Sequence, residues 1–437
     1  MRDKKWFGVI TVILAVGMTA CGNQGDGAGT TPTQSASGIF KPIEDTTIAI
    51  QVSETDRMKG LCEVLEKKAV TEAAKYNAMN RVGTISDETG QQSLFCIEPD
   101  TGVVYFVNQN KDCYIYRLKD GEAKLAVALP AKELSVRNGM LYFMIESYDK
   151  YELSGINDGD IYAYTPADGS VKAVYAAGAL GSRLQQLAVK ENGVYFRCTT
   201  DGNKMVIDGR EVSVLEDKHY YLPFDAKEPV EDKNKTTLPG WGEYYLTTKQ
   251  TTTGDFETVL QSRSDKASEY INLNIENAAG CSIIGDEIYY IGDRASVCVR
   301  NLVTGELKSY DCLEALELAG GNISEERAIE SFTMVGDYIW AKAYSVFLLR
   351  INPESKEVLC YRLLPGSNEE DTEEKAQKET EGEYTLQKLY TDGEHLYALY
   401  APGLQTKGCL VQIITDQTAG LSKAYKVPLL EVKYITE

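Results

Sequence analysis

Residues 138–144 read NGMLYFM, a turn pair followed by five apolar residues. Asn138-Gly139 supplies the positive φ that a two-residue hairpin turn requires. Leu141, Tyr142 and Phe143 suit a pleated strand. The phrase recurs as TGVVYFV (101–107), NGVYF (192–196), WGEYYL (241–246), GDEIYYI (285–291), GDYIWA (336–341) and DGEHLYALY (392–400). In each, a Gly precedes a Tyr or Trp by two to four residues. The anchors are Tyr105, Tyr142, Tyr195, Tyr245, Tyr289, Trp340 and Tyr397, spaced by 37, 53, 50, 44, 51 and 57 residues. A binding site repeated seven times would need seven equivalent ligands. The phrase is therefore read as packing, with each ring between sheets and its hydroxyl at a polar edge.

A period of roughly 40–50 residues is that of a four-stranded propeller blade. The stretches between anchors agree. Tyr114-Ile115-Tyr116 leads to Asp120-Gly121, Ile161 to Tyr164 leads to Asp168-Gly169, and Met205-Val206-Ile207 leads to Asp208-Gly209. Each pair marks a strand reversal. The expected fold is all-β: a β-propeller over 90–437, with seven four-stranded blades. The fourth repeat is the weakest, since 241–265 has no Asp-Gly or Asn-Gly. A six-bladed count with this region as an insertion, or an eight-bladed one, stays open. Closure predicts that TTIAIQV (46–52) completes the last blade or packs beside it, because closure removes exposed strand edges.

Two segments lie outside the repeat. Within 44–89, an N-terminal strand and helix, residues 54–81 place Met58, Leu61, Cys62, Leu65, Ala69, Ala73 and Tyr76 on one helical face. That helix is expected to cap or plug the propeller. Residues 367–383 carry eight acidic residues and two lysines, and are expected to form a solvated loop.

The N-terminus reads as an address. Arg2, Lys4 and Lys5 precede a twelve-residue apolar run, Trp6 to Gly17, which is short for a membrane span. Met18-Thr19-Ala20-Cys21 resembles a bacterial lipobox, with Met18 where Leu is usual. Residues 1–20 are thus a lipoprotein signal peptide. Residues 21–43 are a lipidated tether, with Cys21 the lipidation site. Residues 22–38 contain no aromatic, Leu, Ile or Val and cannot offset their ordering entropy by burial.

Net charge is −20, from 45 basic and 65 acidic residues; loss of Arg2, Lys4, Lys5 and Asp3 takes it to −22. Such a surface is repelled by nucleic acid and anionic headgroups, so no nucleic-acid partner is expected. Apart from Cys21, nine cysteines are spread with no C-x-x-C spacing. Cys113, Cys298 and Cys409 fall in strand-like runs and read as small core hydrophobes; one or two disulfides elsewhere stay open.

Signatures of chemistry are sparse. The two histidines, His219 and His395, stand near no G-x-S-x-G or H-E-x-x-H pattern, and no phosphate-binding Gly-rich loop occurs. No cofactor, metal site or catalytic residue is assigned. Asn157-Asp158-Gly159-Asp160 is dense in oxygen ligands but lacks the EF-hand pattern. Trp241 and Trp340 are read as packing before sugar platforms.

The lipobox, the low-complexity tether and the Tyr-rich Asp-Gly phrases together resemble a family of β-propeller lipoproteins of Gram-positive bacteria, over roughly 90–437 plus the signal. The resemblance implies a cell-surface location, membrane attachment through the lipid, and no assigned activity. The chain lacks the Gly-His and Trp-Asp pairs of WD repeats and the Gly-Gly pairs of kelch blades. Two functions follow as expectations. One is a non-catalytic binding or scaffold module for an envelope protein or glycan. The other is a polysaccharide hydrolase or lyase using paired funnel carboxylates.

Overall fold

The computed structural model describes residues 75–80, 93–146, 155–177, 183–207, 210–241, 243–250, 256–263, 270–276, 279–292, 295–320, 328–344, 346–364, 385–401, 408–422 and 425–435. All belong to one unit, Ile43–Glu437. The signal, the tether, residues 46–52, most of 54–81 and the acidic segment 367–383 lie outside the described residues. Among the described residues, no helix is long and apolar enough to cross a membrane.

The first repeat shows how the sequence builds a sheet. Strands Phe95–Ile97, Val104–Asn108, Tyr114–Lys119 and Glu122–Val127 pair antiparallel in chain order. The last reversal is at Asp120-Gly121, with φ of +52° and +77°, the left-handed pair a tight hairpin turn demands. Asn138-Gly139 repeats this geometry at +51° and +68°. Four more four-stranded sheets follow, spanning 131–175, 183–231, 240–276 and 279–311. The region of the weak fourth repeat is one of them, with strands Gly240–Trp241, Tyr244–Gln250, Phe256–Ser262 and Tyr270–Glu276. It is a sheet in its own right and not an insertion.

The remaining described strands form one nine-stranded sheet within 329–434. Pro428–Tyr434 joins its two parts. Residues 429–431 pair parallel with 362–364, and residues 432–434 pair antiparallel with 411–413. The strand changes partner along its length.

The sheets form a β-propeller arrangement. Neighbouring sheets share apolar clusters: Tyr142, Met144, Phe196 and Leu222 join the second and third, and Leu260, Leu273, Ile288 and Tyr290 the fourth and fifth. Phe332, Ile339 and Phe347 of the nine-stranded sheet pack with Tyr289 and Val297 of the fifth. The ring closes where Phe95, Phe106 and Tyr116 meet Tyr390, Tyr397 and Leu410. There, Phe95 stacks on Tyr390 at 5.1 Å between ring centroids.

The anchor strands lie between neighbouring sheets, and those at Met140–Ile145, Tyr338–Ala343 and Leu396–Ala401 are buried on both faces. Tyr142 faces the third sheet, while Phe143 stacks on Tyr162 at 5.9 Å. Leu141, Tyr142, Phe143 and Met144 are all buried. The half-buried strands expected from partial alternation are thus found in last strands such as Glu122–Val127 and Leu307–Asp311, whereas this anchor strand is covered on both faces. All seven anchors are buried, Trp340 at 2 % exposure among them.

The third sheet departs from the repeat. Gly193–Ile207 and Arg210–Pro223 form one long hairpin, from Gly193↔Pro223 to Ile207↔Arg210. The neighbouring strand Arg183–Lys190 pairs only as far as Thr199. Met205-Val206-Ile207 is therefore the continuation of the anchor strand and not a separate one. Beyond Thr199 the hairpin runs on as a two-stranded ribbon.

Candidate functional site

The first strands of the five four-stranded sheets line one cavity, which we read as part of the central channel. This cavity of about 370 Å³ is bounded by Ser93 and Cys96, by Ser135 to Arg137, by Ala188 to Lys190, by Thr236 to Gly240 and by Cys281 to Ile283. Asn77 and Ala78 complete it. Its residues thus come from the first strands of the five four-stranded sheets, the turn at Pro99, the loop entering the fourth sheet, and the segment 75–80.

Residues 75–79 are helical, consistent with the expected plug over the part of it that is described. The helix is fixed by two asparagines one turn apart. Asn77 Nδ2 donates to Ile97 O at 3.0 Å and its Oδ1 accepts from Ile97 N at 2.8 Å. Asn80 does the same with Thr391 O and N, at 2.7 and 2.8 Å. A carboxamide offers the donor and acceptor that a neighbouring strand would offer. Each Asn therefore caps the end of one first strand, and the two strands flank the ring closure. Ser282 Oγ donates to Ala78 O at 3.3 Å, and Met79 is buried against the nine-stranded sheet. Gly393 has φ +102°, and a Cβ there would lie 2.5 Å from the Tyr76 ring. This glycine meets both a backbone need and a close approach.

Channel-facing strand edges are satisfied between sheets. Leu134 N donates to Ser93 O at 2.8 Å. The buried Glu133 carboxylate accepts from Gln186 N at 2.7 Å and Leu187 N at 2.5 Å. Gln186 sits at a bulge with φ +57°, a left-handed position that turns successive N–H groups toward one anion. Ser135 Oγ accepts from Val189 N at 3.2 Å. Farther round, Lys342 pairs with Glu330 and donates to Gln387 O at 3.2 Å. Burial lowers the Lys342 pKa while Glu330 opposes that shift. These charged groups are committed to holding the ring.

The residues singled out in the sequence are mostly structural. Asp160 is buried and accepts from Asn157 N at 2.8 Å and Ala177 N at 2.7 Å. Burial raises its pKa, against those hydrogen bonds. Asp158 pairs with Lys132 at 2.9 Å. The acidic turn thus ties its own sheet together. His219 is buried, with Nδ1 2.8 Å from Thr237 Oγ1. His395 lies in an exposed turn, its Nδ1 2.9 Å from Asp392 Oδ2. Trp340 is core, and Trp241 Nε1 donates to Asp286 Oδ1 at 2.9 Å. No disulfide joins two of the eight described cysteines. Cys113 and Cys298 are buried as expected, while Cys409 is half-buried with Sγ toward Tyr400 O. Cys21 and Cys62 lie outside the described residues.

The cavity has a distinct electrostatic character. Among the described residues, its lining includes Arg137 and Lys190 but no Asp or Glu, and no aromatic ring. Neither cation stood out in the sequence, where each simply ends a strand.

The fold and this cavity define the class: a β-propeller arrangement with a cavity lined by the first strands of five sheets. The chain matches no family model and no curated protein. Among solved structures it is similar to BamB from Moraxella catarrhalis, with 14% identity and a TM-score of 0.35. That match covers 70% of this chain and 79% of the other. At that score it adds nothing to the topology described above.

Proposed function

We propose that the protein is a lipid-anchored, extracytoplasmic binding module: a propeller of seven four-stranded blades that recognises an envelope protein or glycan through its channel without turning it over. The observation that carries this reading is the cavity lining. A two-carboxylate glycosidase needs an acid and a second carboxylate flanking the scissile bond, and the described lining offers neither. Small-molecule and chain-end sites are concave; this cavity mixes aliphatic Val136, Leu238 and Ile283 with polar Asn77, Ser93, Thr236, Thr237 and Ser282.

The blade count rests on treating the nine-stranded sheet as two blades. The strands over 329–364 form one. The strands over 385–413, with Pro428–Tyr434, form the other, and the parallel pairing at 362–364 is a splice between them. Anchoring rests on Met18 to Cys21 and the tether behind it. A signal over 1–20, a tether over 21–43, and a strand and helix over 44–89 precede the propeller.

Two measurements test this. Cys21→Ser is expected to move the protein out of the membrane fraction, and unchanged retention would refute lipid anchoring. Thr236, in the loop entering the fourth sheet, lines the cavity without being buried in the core. Crosslinking in intact envelopes with wild type and Thr236→Trp should give an adduct that the substitution abolishes while melting stays unchanged. An adduct retained by Thr236→Trp would show that the channel is not the binding face.

A further inference from the structure

We propose that the ribbon beyond Thr199 is a dimerisation arm: its outer strand, residues 210–217, pairs edge to edge with the same strand of a second copy of this chain. The arm is separate from the channel and its role does not depend on what the channel binds. The ribbon is open on both sides. Among the described residues, Arg183–Lys190 on one side pairs no farther than Thr199, and Val230–Glu231 on the other pairs only with Tyr220 and Tyr221. Past those points Gly193–Ile207 and Arg210–Pro223 pair only with each other. A two-stranded hairpin is marginally stable by itself, and its edges offer backbone N–H and C=O groups to a further strand.

The two edges differ. On Gly193–Ile207, residues 202 and 203 oppose the single position 214, between the pairs Asp201↔Leu215 and Lys204↔Ser213. A bulge of this kind, with Lys204 beside it, blunts an edge against further pairing. The strand over 210–217 reads REVSVLED, with no Gly, Pro or Lys. Its charges lie at the two ends, around Val212, Val214 and Leu215.

The order of those charges selects the occupant. Two identical strands paired antiparallel are related by a two-fold axis, so residue i meets residue j and j meets i. An axis at Ser213 sets Arg210 opposite Glu216 of the second copy and Val212 opposite Val214, each pair occurring twice. Successive residues alternate between faces, so these positions share one face of the joined sheet. On the other face, Ser213 meets Ser213 between two Glu211–Leu215 pairs. Opposite charges and β-branched residues directly across from each other are stabilising cross-strand pairs. The adjacent axes lose this match. At Val212, Arg210 meets Val214; at Val214, Glu211 meets Asp217, like against like. Residues 204–213 carry two basic and two acidic residues, against a net charge of −20 for the chain. The arm thus escapes the repulsion that the rest of the surface exerts between copies.

The test is sedimentation equilibrium of the full-length protein in density-matched detergent, joined to cysteine crosslinking. Wild type is expected to dimerise reversibly. Arg210→Glu and Glu216→Arg should each weaken the dimer by about fivefold or more, because each sets like charges across the axis twice, and the double variant should restore it. Directly opposed residues stand about 4.5–5.5 Å apart between Cα atoms, within reach of a disulfide. Mild oxidation of Ser213→Cys should therefore give a covalent dimer that wild type, with its own cysteines, does not give. Val206→Cys, on the far strand, should give none. Ser213→Cys carries the test if a charge variant fails to fold. A wild type that stays monomeric, a dimer unchanged by both reversals or not restored by the double variant, or Val206→Cys crosslinking as readily as Ser213→Cys would overturn the proposal.

Discussion

The repeated tyrosine works through burial. Tyr142 is 1 % exposed and joins the cluster between the second and third sheets. Truncating a fully buried aromatic ring costs about 3–5 kcal/mol, part transfer and part residual cavity. Tyr142→Ala is therefore expected to lower stability by about that amount in chemical denaturation, and a loss under about 1 kcal/mol would contradict the packing role. Burial also raises the pKa of Tyr142 to about 12, and Tyr105 and Tyr162 likewise. The folded pKa lies above the unfolded value of 10.0, so the native state keeps its phenol protons longer. The associated stability is fully present below pH 10 and is lost as pH rises through about 12, because unfolding then releases protons. Tyrosinate absorbance should rise in two stages, with loss of ellipticity accompanying the second. Ionisation in a single step near pH 10 without unfolding would exclude buried anchors. At this scale the sequence was informative: recurrence alone marked Tyr142 as packing. It was silent on Arg137, because a cation at a strand end looks the same whether it meets solvent or a cavity.

Among the elements, the short helix at 75–79 does what an exchanged strand would do. The two sides of the ring closure meet through the Phe95, Tyr390 and Tyr397 rings, and Asn77 and Asn80 cap a strand on each side. Asn80→Ala would leave the buried N–H and C=O of Thr391 without partners. Each such group costs about 1–3 kcal/mol. Hydrogen exchange is expected to accelerate selectively over 385–391, and Asn80→Asp, which keeps only the acceptor, should recover part of the protection. Uniform exchange across all sheets would mean that the helix is not a closure device. The helical pattern was legible through Tyr76, but its asparagines were not. A polar residue on a helix signals only solvent until the strand end it caps has been brought within 3 Å. Likewise the pair Asp208-Gly209 located a reversal, while the length of the hairpin behind it depended on where the neighbouring strand stops.

For the whole molecule, continuity of the ring next to its closure depends on a strand shared by two groups of the nine-stranded sheet. Leu430 is buried in the cluster linking Val335, Trp340 and Leu348 to Leu386 and Leu396. Leu421, on the adjoining short strand, is 62% exposed. Leu430→Ala is expected to cost about 2–5 kcal/mol and Leu421→Ala less than about 0.5 kcal/mol, read as thermal or denaturant midpoints. Equal effects would mean that Pro428–Tyr434 does not bind the two groups together. The sequence suggested that strands near the C-terminus take part in closure. It did not show one strand serving two partners, since pairing through 429–431 and 432–434 draws on ladders more than fifteen residues apart in the chain.

The sequence by itself determined the unit and its repetition. Turn pairs with positive φ and apolar runs of strand length are local preferences, written in a few adjacent residues, and recurrence at blade spacing makes them a ring of sheets. Only the tertiary structure decided which strand faces the channel, which polar groups become caps, and which cations meet a cavity instead of solvent. Those outcomes depend on side chains far apart in sequence sharing one volume, and a burial or hydrogen bond of that kind has no local signature. NGMLYFM thus names a blade, whereas the cavity lined by Ser135 to Arg137 exists only once five sheets surround it.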